Sequence, residues 1–274
     1  MTRRRSRKRR AGTASPIQVI LSVVAIVGVV AALAAVFWFA NEKESALMAL
    51  DRNTFCPKSG PTSETAILVD RTDPLTDIQG EALEREILAL ANEVPKHGVL
   101  NIYEVGVGGS LLNPVVSVCN PGDGTDVSSL DDNPKFWKQR YEQKFVSPIK
   151  LMLSQMRLDI EASTSPIMEA VQAIAVRDFG SGSTVERKRL VVISDLLQHV
   201  KDFSLYQGVP DFNAFWRGGY GASVRSDLAD VHVTIELLHR RAAASRQTDA
   251  LGKFWLDWFQ AQGAVIDAFK NVAG

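Results

Sequence analysis

The strongest constraint on this chain lies at its start. Residues 17–40, IQVILSVVAIVGVVAALAAVFWFA, form an apolar run interrupted only by Gln18 and Ser22, and seven basic residues stand between Arg3 and Arg10 just before it. At 1.5 Å per residue such a run makes a helix of about 36 Å, enough to cross a hydrocarbon core of about 30 Å. Phe37, Trp38 and Phe39 close the run, where aromatic rings favour the headgroup boundary. A cleaved signal peptide is the competing reading. It calls for a shorter apolar core followed by a small-residue cleavage site, and Phe-Trp-Phe-Ala is a poor context for one. The expectation is therefore a basic tip at 1–16, a transmembrane helix at 17–40 and a polar linker at 41–64, followed by one globular α/β domain at 65–274. The positive-inside tendency puts the N-terminus in the cytoplasm. The domain then lies outside a cell (inner) membrane, in an extracytoplasmic or periplasmic compartment.

Charge supports this partition. The chain holds 31 Lys and Arg against 31 Asp and Glu, yet every acidic residue follows Asn41. Removing the seven basic residues of the tip leaves 24 basic against 31 acidic ones. A mildly acidic domain lacks the basic face that nucleic acid demands, so no nucleic-acid partner is expected. The two cysteines, Cys56 and Cys119, form an even pair suited to an oxidising compartment. Cys56 precedes the first expected strand and Cys119 ends a strand that returns antiparallel, which brings both to one end of the sheet. A disulfide is expected; two unrelated buried thiols are the alternative.

Strand patterns fall at 66–70, 99–105, 114–119, 189–195 and 230–238. Helical spacing covers 75–94 and 166–179, the latter with Ser165 as its cap, and a last helix at 251–269 whose apolar face includes Ile266 and Phe269. Two further helical stretches are separated at Ser147 and Pro148, read as a restart. Gly106, Gly108 and Gly109 mark a hairpin before the third strand. Alternating strands and helices predict a doubly wound, mostly parallel sheet with one antiparallel edge strand. Ligands of such sheets bind beyond the C-terminal strand ends. Asp70 and Asp195 both close aliphatic runs there.

These residues resemble von Willebrand factor A domains and their metal-ion-dependent adhesion site. Asp70 to Thr76 reads DRTDPLT against the family's D-x-S-x-S, so Asp70 and Thr72 match and Pro74 takes the third position. In SPIMEAV, Ser165 stands where the family has Thr, and LVVISD places Asp195 at the end of the fourth strand. The resemblance covers residues 64–240 and implies a degenerate metal site of Asp70, Thr72, Ser165 and Asp195. Such a set would hold Mg²⁺ or another divalent cation with water completing the shell. Asp73 or Thr76 are stand-ins for the hydroxyl lost at Pro74. The alternative is a vestigial site in which Asp70 and Asp195 cap strand ends and Ser165 caps a helix.

Other motifs carry less. Thr72 stands where a dehalogenase-type phosphotransferase needs a second Asp, and Gly106-Val-Gly-Gly-Ser lacks the Lys of a phosphate loop. The four histidines show no metalloprotease spacing. His232 reads as exposed on a strand, and His239, Arg240 and Arg241 as a solvated strand exit. Tyr206, Phe212, Phe215, Trp216 and Tyr220, interleaved with glycines, leave the same rim as Asp195. They are candidate partner anchors, with satellite packing under a long loop as the alternative. The functional expectation is a non-enzymatic, membrane-anchored protein-interaction module, with divalent-metal dependence, in an envelope or membrane assembly. A protein partner would meet the sheet's C-terminal rim. A membrane-anchored metal-dependent hydrolase or phosphatase using the same carboxylates is the alternative, but no base or nucleophile stands out beside them.

Overall fold

The computed structural model describes residues 16–48, 50–106, 113–126, 132–156, 158–180 and 185–272. The chain divides into two compact units between Ala49 and Leu50. In the first, helix α1 spans Pro16–Met48. Its stretch Ile20–Trp38 is long and apolar enough to cross a membrane, and its large apolar side chains are exposed. The helix thus runs beyond Ala40 into the segment expected as linker. The rest of that segment is also structured: Leu50 pairs with Pro57, and Leu50 and Phe55 are buried with Trp137.

The second unit is built on a six-stranded sheet. In chain order its elements begin with β1 (Ser63–Asp70), α2 (Asp77–Asn92), β2 (Val99–Val105) and β3 (Val116–Cys119). Then come α3 (Pro134–Tyr141), a π-turn at Glu142–Val146, α4 (Ser147–Ser154), α5 (Ile167–Asp178) and β4 (Arg187–Ser194). A two-residue pair, β5 (His199–Val200) and β6 (Phe203–Ser204), precedes α6 (Phe212–Arg217) and α7 (Gly219–Ser223). The chain closes with β7 (Val231–Leu238), α8 (Asp249–Gln260) and β8 (Val265–Val272). The sheet order is β3-β2-β1-β4-β7-β8, parallel throughout except for β3, which runs against β2. This is the expected doubly wound architecture.

Side-chain alternation sorts the core into two layers. Ala66, Leu68, Leu190, Val192, Val233 and Ile235 pack with α5 and α8, whereas Ile67, Val69, Val191 and Ile193 pack with α2, α4 and the π-turn. Both faces are therefore covered, which explains why β1 and β4 read as continuous apolar runs rather than alternating ones. Helix α2 starts in a capping box: Thr76 Oγ1 accepts from the Gln79 amide at 3.2 Å, and Gln79 Oε1 accepts from the Thr76 amide at 3.1 Å.

Three sequence expectations need correction. The helix expected over 251–269 ends at Gln260, and Ile266 and Phe269 belong to β8, a sixth strand parallel to β7. Gly263, at φ +89°, makes the turn between them in a conformation that other residues resist. Helix α4 does begin at Ser147 with Pro148 in its first turn, but Val146 rather than Ser147 holds the cap position. The chain stays helical through the π-turn, with the Ser147 amide donating to Glu142 O, and the widened turn absorbs the donor that proline lacks. Finally, Pro166 rather than Ser165 holds the cap position of α5, without a side-chain cap bond.

The disulfide forms between Cys56 and Cys119 with a Cα–Cα distance of 5.1 Å. Cys119 pairs with Val99 at the start of β2, the sheet end where β1 also begins. Closing the 63-residue span contributes about 4 kcal/mol in the chain-entropy view. The hairpin residues Gly108 and Gly109 lie outside the described residues.

Candidate functional site at the carboxyl rim of the sheet

Register decides what meets at the rim. β1 and β4 are parallel neighbours with Val69 beside Ile193, so Asp70 comes beside Ser194. β4 pairs with β7 with Ser194 beside Leu237, so Asp195 comes beside the end of β7 and Arg240 follows two residues after its last residue, Leu238. Asp70 and Asp195 are both almost fully buried. The two carboxylates far apart in sequence thus share one rim, as the strand pattern predicts.

Asp70 is saturated with donors. Its Oδ1 accepts from the Thr72 amide at 3.1 Å and from Thr72 Oγ1 at 2.7 Å. Its Oδ2 accepts from Ser194 Oγ at 2.6 Å and from Ser165 Oγ at 3.4 Å. The expected ligands Thr72 and Ser165 are therefore brought to Asp70, and Ser165 spends its hydroxyl there rather than on a helix. Its backbone pairs with His199 in an isolated bridge. Asp73 and Thr76 do not join them: Asp73 Oδ2 accepts from the Tyr206 hydroxyl at 3.3 Å, and Thr76 caps α2.

Asp195 is differently supplied. Oδ1 accepts from the Leu197 amide at 2.9 Å, while Oδ2 has no hydrogen bond among the described residues. Instead Arg240 Nε approaches Oδ2 to 3.5 Å, and both side chains are buried. The same guanidinium is held by two carbonyls of the β1–α2 loop, Nη1 on Pro74 O at 2.5 Å and Nη2 on Asp73 O at 3.2 Å. Burial, and then the Asp70 carboxylate, push the Asp195 pKa up; the Leu197 amide and Arg240 oppose them. Arg240 was expected as part of a solvated strand exit. The structure corrects this, because the loop carbonyls and Asp195 draw it inward while its neighbours His239 and Arg241 stay exposed.

The loop after β4 is strained. Leu196, a buried residue, sits at φ +63°. It is held by Leu196 N donating to Ser194 Oγ at 2.8 Å and by Trp255 Nε1 donating to Leu196 O at 2.8 Å. A left-handed leucine costs on the order of 1 kcal/mol and persists only where neighbours over-determine it. Such strain, beside a rim carboxylate, marks the loop as a built feature.

A divalent ion fits this arrangement poorly. Both Asp70 oxygens already accept two bonds each. The remaining carboxylate oxygen, Asp195 Oδ2, faces a guanidinium, whose charge repels a cation at that position. Pro74 contributes a carbonyl to Arg240 where the family pattern has a hydroxyl. Among the described residues no group of three or more His, Cys, Asp or Glu comes together as a metal-binding cluster.

The aromatic segment is packed rather than displayed. Phe215 is buried, and its ring lies 4.9 Å from those of Phe203 and Phe254. Tyr220 stacks on Phe203 at 4.9 Å, and its hydroxyl donates to Glu169 Oε1 at 2.8 Å while accepting from Gln198 Nε2 at 2.7 Å. Burial, and then the Glu169 carboxylate, push the Tyr220 pKa up. Phe212 and Trp216 are half-buried against the same core. Tyr206 alone of the five reaches the cavity beside Asp73.

The six-stranded order with its single antiparallel edge strand is von Willebrand factor A-like. Among solved structures the chain is similar to one titled "Crystal Structure of the SpRpn10 VWA domain", at 11% identity, covering 76% of this chain and 88% of that one, with a TM-score of 0.37. At that level the likeness carries no argument beyond the topology already described. No family description and no curated protein matches the sequence.

Proposed function

We infer that the chain is a membrane-anchored protein-interaction module that meets its partner at the carboxyl rim of its sheet. The observation that supports this most is the convergence of Asp70, Asp195 and Arg240 at one rim beside a strained loop, in a fold whose ligand crevice lies there on general grounds. Anchoring by residues 17–40 is supported by the length and composition of the α1 stretch Ile20–Trp38. A cytoplasmic N-terminus and an extracytoplasmic domain are supported by the basic tip and by the Cys56–Cys119 bond, which suits an oxidising compartment.

Photo-crosslinking in cells tests the surface. A photoreactive residue at exposed Ile78, on the rim, is expected to give discrete adducts, and one at Glu186, at the opposite sheet end, is expected to give none. Adducts from Glu186 alone would exclude the rim as the interface. Topology is tested by thiol labelling of intact cells with an impermeant reagent. Cys56 and Cys119 are expected to label only after reductant is added outside. Labelling confined to permeabilised cells would reverse the orientation.

A further inference from the structure

We propose that Arg240 takes the place of a divalent ion at this rim, and that a partner's carboxylate is received by arginines in the adjoining cavity rather than by metal. This rests on the interaction-module reading above and names its chemistry. The first support is the set of bonds around Arg240. A cation at an adhesion rim neutralises the buried carboxylates and ties the strand-end loops together. The Arg240 guanidinium supplies the counter-charge to Asp195, reaching Oδ2 at 3.5 Å, and ties the loops through the carbonyls of Asp73 and Pro74 at 3.2 and 2.5 Å, while Asp70 is satisfied by hydroxyls and an amide. Being covalently part of the chain, it cannot be chelated away.

The second support is the cavity itself. It measures about 590 Å³ and is lined by Asp73, Pro74, Ile78, Tyr206, Arg241 and Arg246 among others, with Arg240 in its wall. That volume lies within the usual range for a bound ligand group. Arg241 and Arg246 are exposed, and neither is ion-paired with a carboxylate among the described residues. Arg246 is nonetheless positioned: its Nε donates to Tyr206 O at 3.2 Å and its guanidinium lies 5.5 Å over the Tyr206 ring. Asp73 is the one acidic lining residue, and its Oδ2 is engaged by the Tyr206 hydroxyl. The cavity lining itself holds three arginines against the single carboxylate of Asp73, so its own charge is positive. Exposed Ile78 and Pro74 supply an apolar wall. Planar guanidiniums beside an apolar wall suit the carboxylate of an acidic peptide segment, bound by paired charge-assisted bonds.

The test uses the full chain in neutral detergent and a fluorescein-labelled oligoglutamate peptide, read by anisotropy at low ionic strength. Saturable binding is expected, unchanged by EDTA or Mg²⁺. The Arg241→Ala/Arg246→Ala variant, altered only at exposed side chains, is expected to bind at least about tenfold more weakly. Arg85→Ala, on the exposed flank of α2, is expected to bind as the wild type does. Mn²⁺ and EDTA are expected to leave the wild-type Tm unmoved. The proposal is overturned if the wild type shows no saturable binding, if Arg85→Ala weakens it equally, or if EDTA releases the peptide. It is equally overturned if Mn²⁺ raises Tm and Asp195→Ala abolishes the rise. Crosslinking at Ile78 that succeeds while the peptide assay fails would sink the arginine chemistry alone; failure of the crosslinking would sink the module reading itself.

Discussion

Asp70 and Asp195 stand side by side on neighbouring strands, equally buried, and are stabilised in opposite ways. Asp70 is held by dipoles: three hydroxyls and an amide point at its two oxygens. Asp195 receives a single amide and relies on a charged neighbour. The contrast teaches that a buried carboxylate can be built into a sheet rim by local donors alone. One supplied with a single donor is balanced by a cation or by a proton, and the origin of that charge decides whether the rim depends on the medium.

Substitutions can break that comparison. The largest effect is expected for Asp70→Ala, which leaves four donors without an acceptor and should cost about 4 kcal/mol in thermal unfolding followed by tryptophan fluorescence. A loss below about 1 kcal/mol would mean the donors find other partners. Arg240→Ala should cost about 3 kcal/mol, because Asp195 is left without its counter-charge, whereas Arg240→Met with Asp195→Leu should lie within about 1 kcal/mol of wild type. If the double variant is as unstable as the single one, the pair is not coupled.

A third buried carboxylate sharpens the comparison. Glu236 on β7 is buried, and among the described residues neither of its oxygens has a hydrogen bond; Lys270 Nζ lies 3.6 Å from Oε1. Burial, and then the Glu86 carboxylate, push its pKa up to about 7 from an ordinary 4.5, with Lys270 opposing. The native state therefore keeps a proton that the unfolded chain has already lost. Stability from this residue is full below pH 4.5, falls as pH rises from there to about 7, and is flat above. Glu236→Gln is expected to match wild type near the acid end and to exceed it at mildly alkaline pH by on the order of 2 kcal/mol. Equal curves at every pH would remove Glu236 from the account. The smallest effects rank the donors of Asp70. Ser194→Ala should cost about 2 kcal/mol and Ser165→Ala less than about 1 kcal/mol, following their distances of 2.6 and 3.4 Å. The reverse order would show that distance does not set their contribution.

That ranking also shows how far the sequence could be read. Asp70 and Asp195 were legible because a carboxylate closing an aliphatic run is a local pattern, and parallel strands deliver such ends to one rim. Ser194 was not, because it reads as one more strand residue before Asp195, and only the register of β1 against β4 sets it beside Asp70. Arg240 was hidden in the run His239-Arg240-Arg241, whose composition says solvent, while its burial depends on carbonyls more than 160 residues earlier in the chain. Strand β8 was concealed because Ile266 and Phe269 continue the helical spacing of α8; Gly263 was the signal that the helix had ended. The five aromatics show the same limit, since composition reveals that they cluster but not whether they face inward.

One covalent bond has a mechanical consequence. The chain enters the domain at Leu50 and reaches the central strand β1 only at Ser63, but Cys56 is already tied to Cys119 at the end of β3. A pull applied from the N-terminal side is therefore delivered through sulfur to the outermost strand as well as through the backbone to the middle of the sheet. Reduction would leave all of that load on the six residues between Cys56 and β1, turning a two-point tether into a single thread.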